Sequence, residues 1–99
     1  MSNIDKTLGE RGGRYGSIGM NSQFTQEMMS LVETFDDERP TDQKLSYVHR
    51  ECLHMIFHKI ARMVCGDCWY ADNAHDIAGY AKLLEEFINE QRPEHKESL

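Results

Sequence analysis

Asp72 and Asp76 stand four residues apart, and Lys59 and Arg62 three apart, in a chain of 99 residues. On a helix, each spacing puts both side chains on one face. A carboxylate pair facing a cation pair can lock two helices in register, hold a metal ion, or hold an anion on the cations while the carboxylates orient them. At roughly 100° per residue, Asp72, Asp76, Gly79 and Leu83 share one flank, and Asp76 falls beside Tyr80 at the edge of an apolar stripe. A carboxylate at that seam is costly to desolvate without a cation. Glu51, Met55, His58 and Arg62 line one side of the preceding segment, with Lys59 between them and its apolar face. A short connection favours antiparallel neighbours. Glu51, His58, Lys59, Arg62, Asp72 and Asp76 would then face one groove. Either a salt-bridge seam or an anion or metal–phosphate site fits this pattern.

A second stretch with chemical potential is "ERGGRYGS", Glu10 to Ser17. Glycines let backbone N–H groups approach an anion, and Arg11 and Arg14 can fork onto phosphate oxygens, with Tyr15 beside them. The stretch does not match the phosphate-loop signature, and an arm that merely docks on the helices fits it as well. Trp69 and Tyr70 either pack at a helix start or offer a ring for a base to stack on; packing is the stronger expectation. His75 can serve the first turn of a helix or reach a ligand. His49, central in an apolar stripe, reads as a hydrogen-bonded core or interface histidine. "CGDC" (Cys65 and Cys68) with His54 and His58 upstream has the composition of a zinc site. The histidines point off the apolar face, however, and the cysteines fall past the helix end, which argues against zinc.

These residues need helices to hold them. Phe24, Met28, Leu31, Val32 and Phe35 recur at helical spacing, with Asn21 or Ser22 available as a cap. Leu45 to Val64 forms a second stripe, capped by Thr41 or Asp42 and ended by Gly66, about 33 Å long. Ile77, Tyr80, Ala81, Leu84, Phe87 and Ile88 form a third, capped by Asp72 or Asn73 and ended near Arg92 and Pro93. No window alternates like a strand. The expectation is an all-α domain of three main helices in an antiparallel bundle. Residues 1–20 form a glycine- and arginine-rich arm, 21–92 the helical domain and 93–99 a charged tail. One short partner helix would not cover the long second helix, so a homodimer or larger homo-oligomer is expected.

Bulk composition narrows the partners. The net charge of −6 excludes broad attraction to nucleic-acid phosphates. No apolar run approaches the roughly 20 residues that span a bilayer, and the first ten residues lack a secretory pattern. The odd count of three cysteines makes a poor disulfide framework. A cytoplasmic protein, within a host cell, is expected.

Taken together, "ERGGRYGS", "HMIFHKIARMVCGD" and "WYADNAHDIAGYAKLLE" resemble an uncharacterised domain family of tailed bacteriophages and prophages, over residues 7–88. Members of that family usually carry proline at the position of Cys68 and no fixed cysteine at that of Cys65. The Lys59/Arg62 and Asp72/Asp76 pairing is similar to a phage domain associated with nucleotide modification. More distantly it is similar to the all-α nucleotide pyrophosphohydrolases of the MazG and dUTPase kind. Those enzymes hold magnesium with two acidic pairs, whereas here the first pair is missing and only Glu51, Asp72 and Asp76 could serve.

The resemblance therefore implies binding more than catalysis. The expected ligand is a nucleotide or related phosphorylated small molecule, and binding would sequester a host immune signal or serve nucleotide metabolism. Arg11, Arg14, Lys59, Arg62 and His58 would meet phosphates, Tyr15, Trp69 or Tyr70 would stack, and Asp72, His75 and Asp76 would orient the ligand. A magnesium-dependent pyrophosphohydrolase and an acidic module that inhibits a host protein are the alternatives.

Overall fold

Residues 3–92 are described in the computed structural model, without the Arg11 side chain, and among them every regular element is helical. The elements are α1 (Asn3–Tyr15), α2 (Ile18–Asp37), a 3-10 turn (Thr41–Gln43), α3 (Tyr47–Cys65) and α4 (Ala71–Gln91). The all-α expectation holds, but the expectation of three main helices does not, because the glycine-rich arm is itself a helix. Asp5 in its first turn and Arg14 in its last complement the helix dipole, and Thr7 Oγ1 donates back to the Asn3 carbonyl at 2.8 Å. These local terms offset part of the cost of Gly9, Gly12 and Gly13, and α1 is further held by packing on α3. The 93–99 tail lies outside the described residues.

Caps explain the boundaries. Gly16, with φ of +80°, turns the chain out of α1. Ser17 then caps α2 by accepting from the Met20 N–H at 3.1 Å, in place of the expected Asn21 or Ser22. Asn21 is instead buried, and its Nδ2 donates to the Tyr15 carbonyl at 2.5 Å. α3 starts at a capping box: Ser46 Oγ accepts from the His49 N–H, and the His49 ring faces the Ser46 N–H. This box replaces the expected Thr41 or Asp42, which both sit in the 3-10 turn. Gly66 ends α3, as expected, after 19 residues, about 28 Å. α4 begins after Tyr70 without a side-chain cap. Asp72 lies in its first turn, and Asn73 is turned inward and buried, so neither caps it.

The link from α2 to α3 closes on Asp36. Its carboxylate is buried and accepts from the Leu45 N–H at 2.9 Å, and Arg50 of α3 reaches both Asp36 and Glu33. Lys44 donates to the carbonyls of Asp36 and Asp37.

α3 is the shared scaffold, since α2, α4 and α1 all pack on it. Arg50, which reaches α2, and Lys59, which reaches Asp76 of α4, are nine residues apart, about two and a half turns. The two flanking helices therefore approach α3 from opposite sides, and the three lie abreast as a layer. The extents of 56 × 28 × 21 Å fit that shape. The radius of gyration is 16.5 Å, against about 13 Å for a compact chain of 100 residues. A layer has little inside: Cys52 and Ala61 are the only buried apolar residues among those described.

The corner at Gly16 yields a paired prediction. A Cβ there would run into the Cys65 carbonyl, on a backbone angle that L side chains rarely adopt, whereas a Cβ at helical Gly19 meets nothing. Gly16→Ala is expected to destabilise the fold by more than about 1 kcal/mol, and Gly19→Ala to be neutral or stabilising by up to about 1 kcal/mol. Urea unfolding midpoints of the two variants check this directly.

Candidate functional site

The corner between α1 and α2 sits on the end of α3. The Asp67 N–H donates to the Arg14 carbonyl at 2.7 Å, across the close approach of Gly66 to Arg14 and Tyr15. This contact carries two residues of the N-terminal stretch to the start of α4. The Tyr15 and Tyr70 rings stack with centroids 5.8 Å apart and planes 29° off parallel. The Arg14 guanidinium lies over Tyr70 at 5.1 Å, and that of Arg62 over Tyr15 at 4.4 Å. Arg14, Tyr70, Tyr15 and Arg62 therefore form a ladder of cation, ring, ring and cation, drawn from α1, α3 and the turn before α4. Hydrogen bonds to the Asp72 carboxylate and to Tyr15, then the charge of Asp72, raise the Tyr70 phenol above its usual pKa.

The predicted meeting of cations and carboxylates is partly realised. Lys59 Nζ lies 3.0 Å from Asp76 Oδ2, with the Lys59 side chain 11% exposed and that of Asp76 42% exposed. Arg62 turns instead to Tyr15, and Asp72 to Tyr70. His58 is half-buried on α3. Burial, then the positive charges of Arg62 and Lys59, and then His54, hold its pKa below the usual value of 6.5. His75 is exposed on α4, where it lines an open groove of about 490 Å³ with Asp76, Gly79, Tyr80, Lys82, Leu83 and Glu86. Lys59, Arg62 and Glu51 do not line that groove, so the six residues expected around one groove are divided. Trp69 is 90% exposed, which corrects the expectation that it packs; Tyr70 does pack. The Arg11 side chain lies outside the described residues.

The metal set is not assembled. Glu51 is exposed near the start of α3, eight residues before Lys59, about 12 Å along the axis. Asp76 sits opposite Lys59, and Asp72 lies near the other end of α3. Glu51 therefore stands apart from both aspartates, and the three carboxylates expected to share a magnesium ion are not brought together. Among the described residues no three His, Cys, Asp or Glu side chains gather as a metal site, Cys65 and Cys68 included.

Sequence reasoning placed His49 correctly as a hydrogen-bonded histidine, although its partner is the Ser46 cap and its ring meets Phe87 edge-on at 6.2 Å. It missed the Asp36 cluster. "DDERPTDQK" reads as a uniformly polar break, and nothing in it marks one carboxylate for burial. Compared with protein-family models, with curated proteins and with solved structures, the chain gives no match.

Two expected outcomes follow from this geometry. Asp76→Asn leaves a nearly buried ammonium without its counter-charge, whereas Lys59→Met keeps the apolar stem and frees a carboxylate that already meets water. Asp76→Asn is therefore expected to cost about 1–2 kcal/mol in urea unfolding and Lys59→Met less than about 1 kcal/mol. For His58 the folded protein disfavours the charged ring. Stability is full above the unfolded pKa of 6.5 and falls as pH drops through it toward the lower folded value. His58→Gln is expected to flatten that part of the pH–stability curve.

Proposed function

We propose that the protein binds a nucleotide or a related phosphorylated small molecule on the face that carries the ladder. The observation that supports this most is the state of the two guanidiniums. Neither Arg14 nor Arg62 is paired with a carboxylate among the described residues; each rests on a tyrosine ring. A guanidinium over an aromatic ring keeps its N–H edges for an oxyanion, and two of them can share a phosphate chain. Trp69, exposed beside Tyr70, supplies an apolar ring for a base. Lys59 is committed to Asp76 and acts by fixing α4 against α3. Arg11, one turn before Arg14, belongs to the same reading.

Binding without turnover is the form this takes, because Glu51 stands apart from Asp72 and Asp76 and no complete metal-binding carboxylate set is brought together among the described residues. In a phage-infected cell such binding would withdraw a signalling nucleotide or serve nucleotide metabolism. The antiparallel pairing of α3 and α4 within this reading is supported by two contacts, His49 with Phe87 and Lys59 with Asp76. We read the binding unit as a homo-oligomer, given how little apolar surface one copy buries.

The test is a thermal-shift screen with mononucleotides, dinucleotides and cyclic dinucleotides, with and without magnesium. The expected result is stabilisation by at least one nucleotide in the absence of metal and no release of phosphate or pyrophosphate. Arg62→Gln and Arg14→Gln should each weaken binding roughly tenfold to a hundredfold, as loss of a charge-assisted hydrogen bond does. Absence of any shift across the set would remove the proposal.

A further inference from the structure

The layer has two unlike sides. The polar side carries Arg62, Asp76 and the exposed Leu83. On the other side the three long helices repeat one pattern: Phe24 to Phe35 on α2, Leu53 to Val64 on α3 and Ile77 to Ile88 on α4. Each run places apolar residues at i, i+4, i+7 and i+11. None of these residues is buried, and Leu31, Phe35 and Val64 are each more than half exposed.

The rotations put the three stripes on one side. On α2 the stripe lies about a quarter-turn from Thr25, which is sunk against α3. On α4 it lies a smaller fraction of a turn from buried Asn73, in the opposite rotational sense. Because the two helices flank α3 from opposite sides, opposite senses lead to the same face. On α3, Leu53 and Arg62 are nine residues apart, about half a turn around after whole turns are removed. The apolar face is therefore the reverse of the ladder face.

We infer that this face is covered by a second copy of the chain, the two layers packing face to face about a twofold axis. The inference rests on the oligomeric reading above and not on the ligand. Three observations select a second copy. Each stripe is about 17 Å long, and together they cross a molecule 28 Å wide. That is roughly 500 Å² measured flat, before side-chain relief, a large part of the roughly 800 Å² per partner of a stable interface. No charged residue falls at a stripe position, and the charged residues that line its groove, Asp36 and Arg39, are of opposite sign, so the face offers a partner no net charge to match. Finally, a chain whose described core holds only Cys52 and Ala61 needs its cover whenever it is folded. A copy of itself is always made in step. A groove of about 320 Å³ lined by Met28, Leu31, Val32, Phe35 and Leu45, with Asp36 and Arg39 also in its lining, gives the partner's side chains somewhere to enter. A twofold axis would use each such groove once per copy.

Sedimentation equilibrium of the full chain and of two variants tests this. The wild type is expected at an even multiple of 11.5 kDa, with a thermal midpoint that rises with protein concentration. Val64→Glu, on the apolar face, should lower the mass or leave the chain unfolded at all concentrations. Leu83→Glu, also more than half exposed but on the polar face, should leave the mass unchanged. A folded wild type at 11.5 kDa with a concentration-independent midpoint would overturn oligomerisation altogether. An assembly broken by Leu83→Glu and not by Val64→Glu would overturn the choice of face alone. Neither result bears on nucleotide binding by Arg14 and Arg62, which the thermal-shift screen reads separately.

Discussion

Backbone meets backbone where Gly16 and the Arg14–Tyr15 peptide press on Cys65 and Gly66. A Cβ on either glycine would occupy space already filled by main chain, so the contact exists only because two glycines face each other. Much else depends on it. It lets the Asp67 N–H find the Arg14 carbonyl, and it sets Tyr15 against Tyr70. It also places the N-terminal helix at one end of the layer instead of along it. Without this contact Arg14 and Tyr15 would belong to a tethered segment. With it, they form part of a surface shared with α3 and the turn before α4.

The rest of the architecture follows from α3 having neighbours on two opposite sides. A helix so placed can give α2 and α4 a strip each, but two flanking helices that do not close over it leave the remaining faces open. Local terms then carry more of the definition of the structure than a core does. These are the Ser17 cap, the Ser46–His49 box, the Asp36 cluster and the Lys59–Asp76 pair. Each contributes about 1 kcal/mol or a little more, while a fully buried Leu or Phe contributes about 1.5–3 kcal/mol. Caps and ion pairs fix where helices start and how they sit, but they are poor substitutes for burial in holding a chain of this length together.

That balance explains what the sequence disclosed. Periodicity reports which face of a helix is apolar, so the stripes on α2, α3 and α4 were all legible, but not that they would stay unburied within one copy of the chain. Spacing reports which side chains share a face, so the approach of Lys59 to Asp76 could be foreseen. Arg62 and Asp72 went elsewhere because each found a tyrosine, and Tyr15 could be placed only by knowing where the glycine corner docks. The helicity of residues 3–15 was hidden by glycines that read as breaks. Asn21 and Asn73 read as caps because an amide in a helix interior is normally exposed, yet here both turn inward. The Asp36 carboxylate, buried in a run of polar residues, left no pattern at all. Contacts far apart in sequence decided each of these, and pattern within one segment does not report them.

The two faces of the layer constrain each other through α3. Leu53, Phe57, Ile60 and Val64 point one way and His58 and Arg62 the other, on a single rod, so no rotation of α3 improves one face without spoiling the other. A rotation that buried the apolar stripe between α2 and α4 would withdraw Arg62 from Tyr15 and Lys59 from Asp76. The ladder and the open apolar face are thus alternatives to a closed core. A chain of 99 residues that closed its own core would need a third flank, and α1 is spent at the end of α3 where it supplies Arg14 and Tyr15. Exposure of the apolar side is in this sense the structural consequence of building the cationic side from the N-terminal helix.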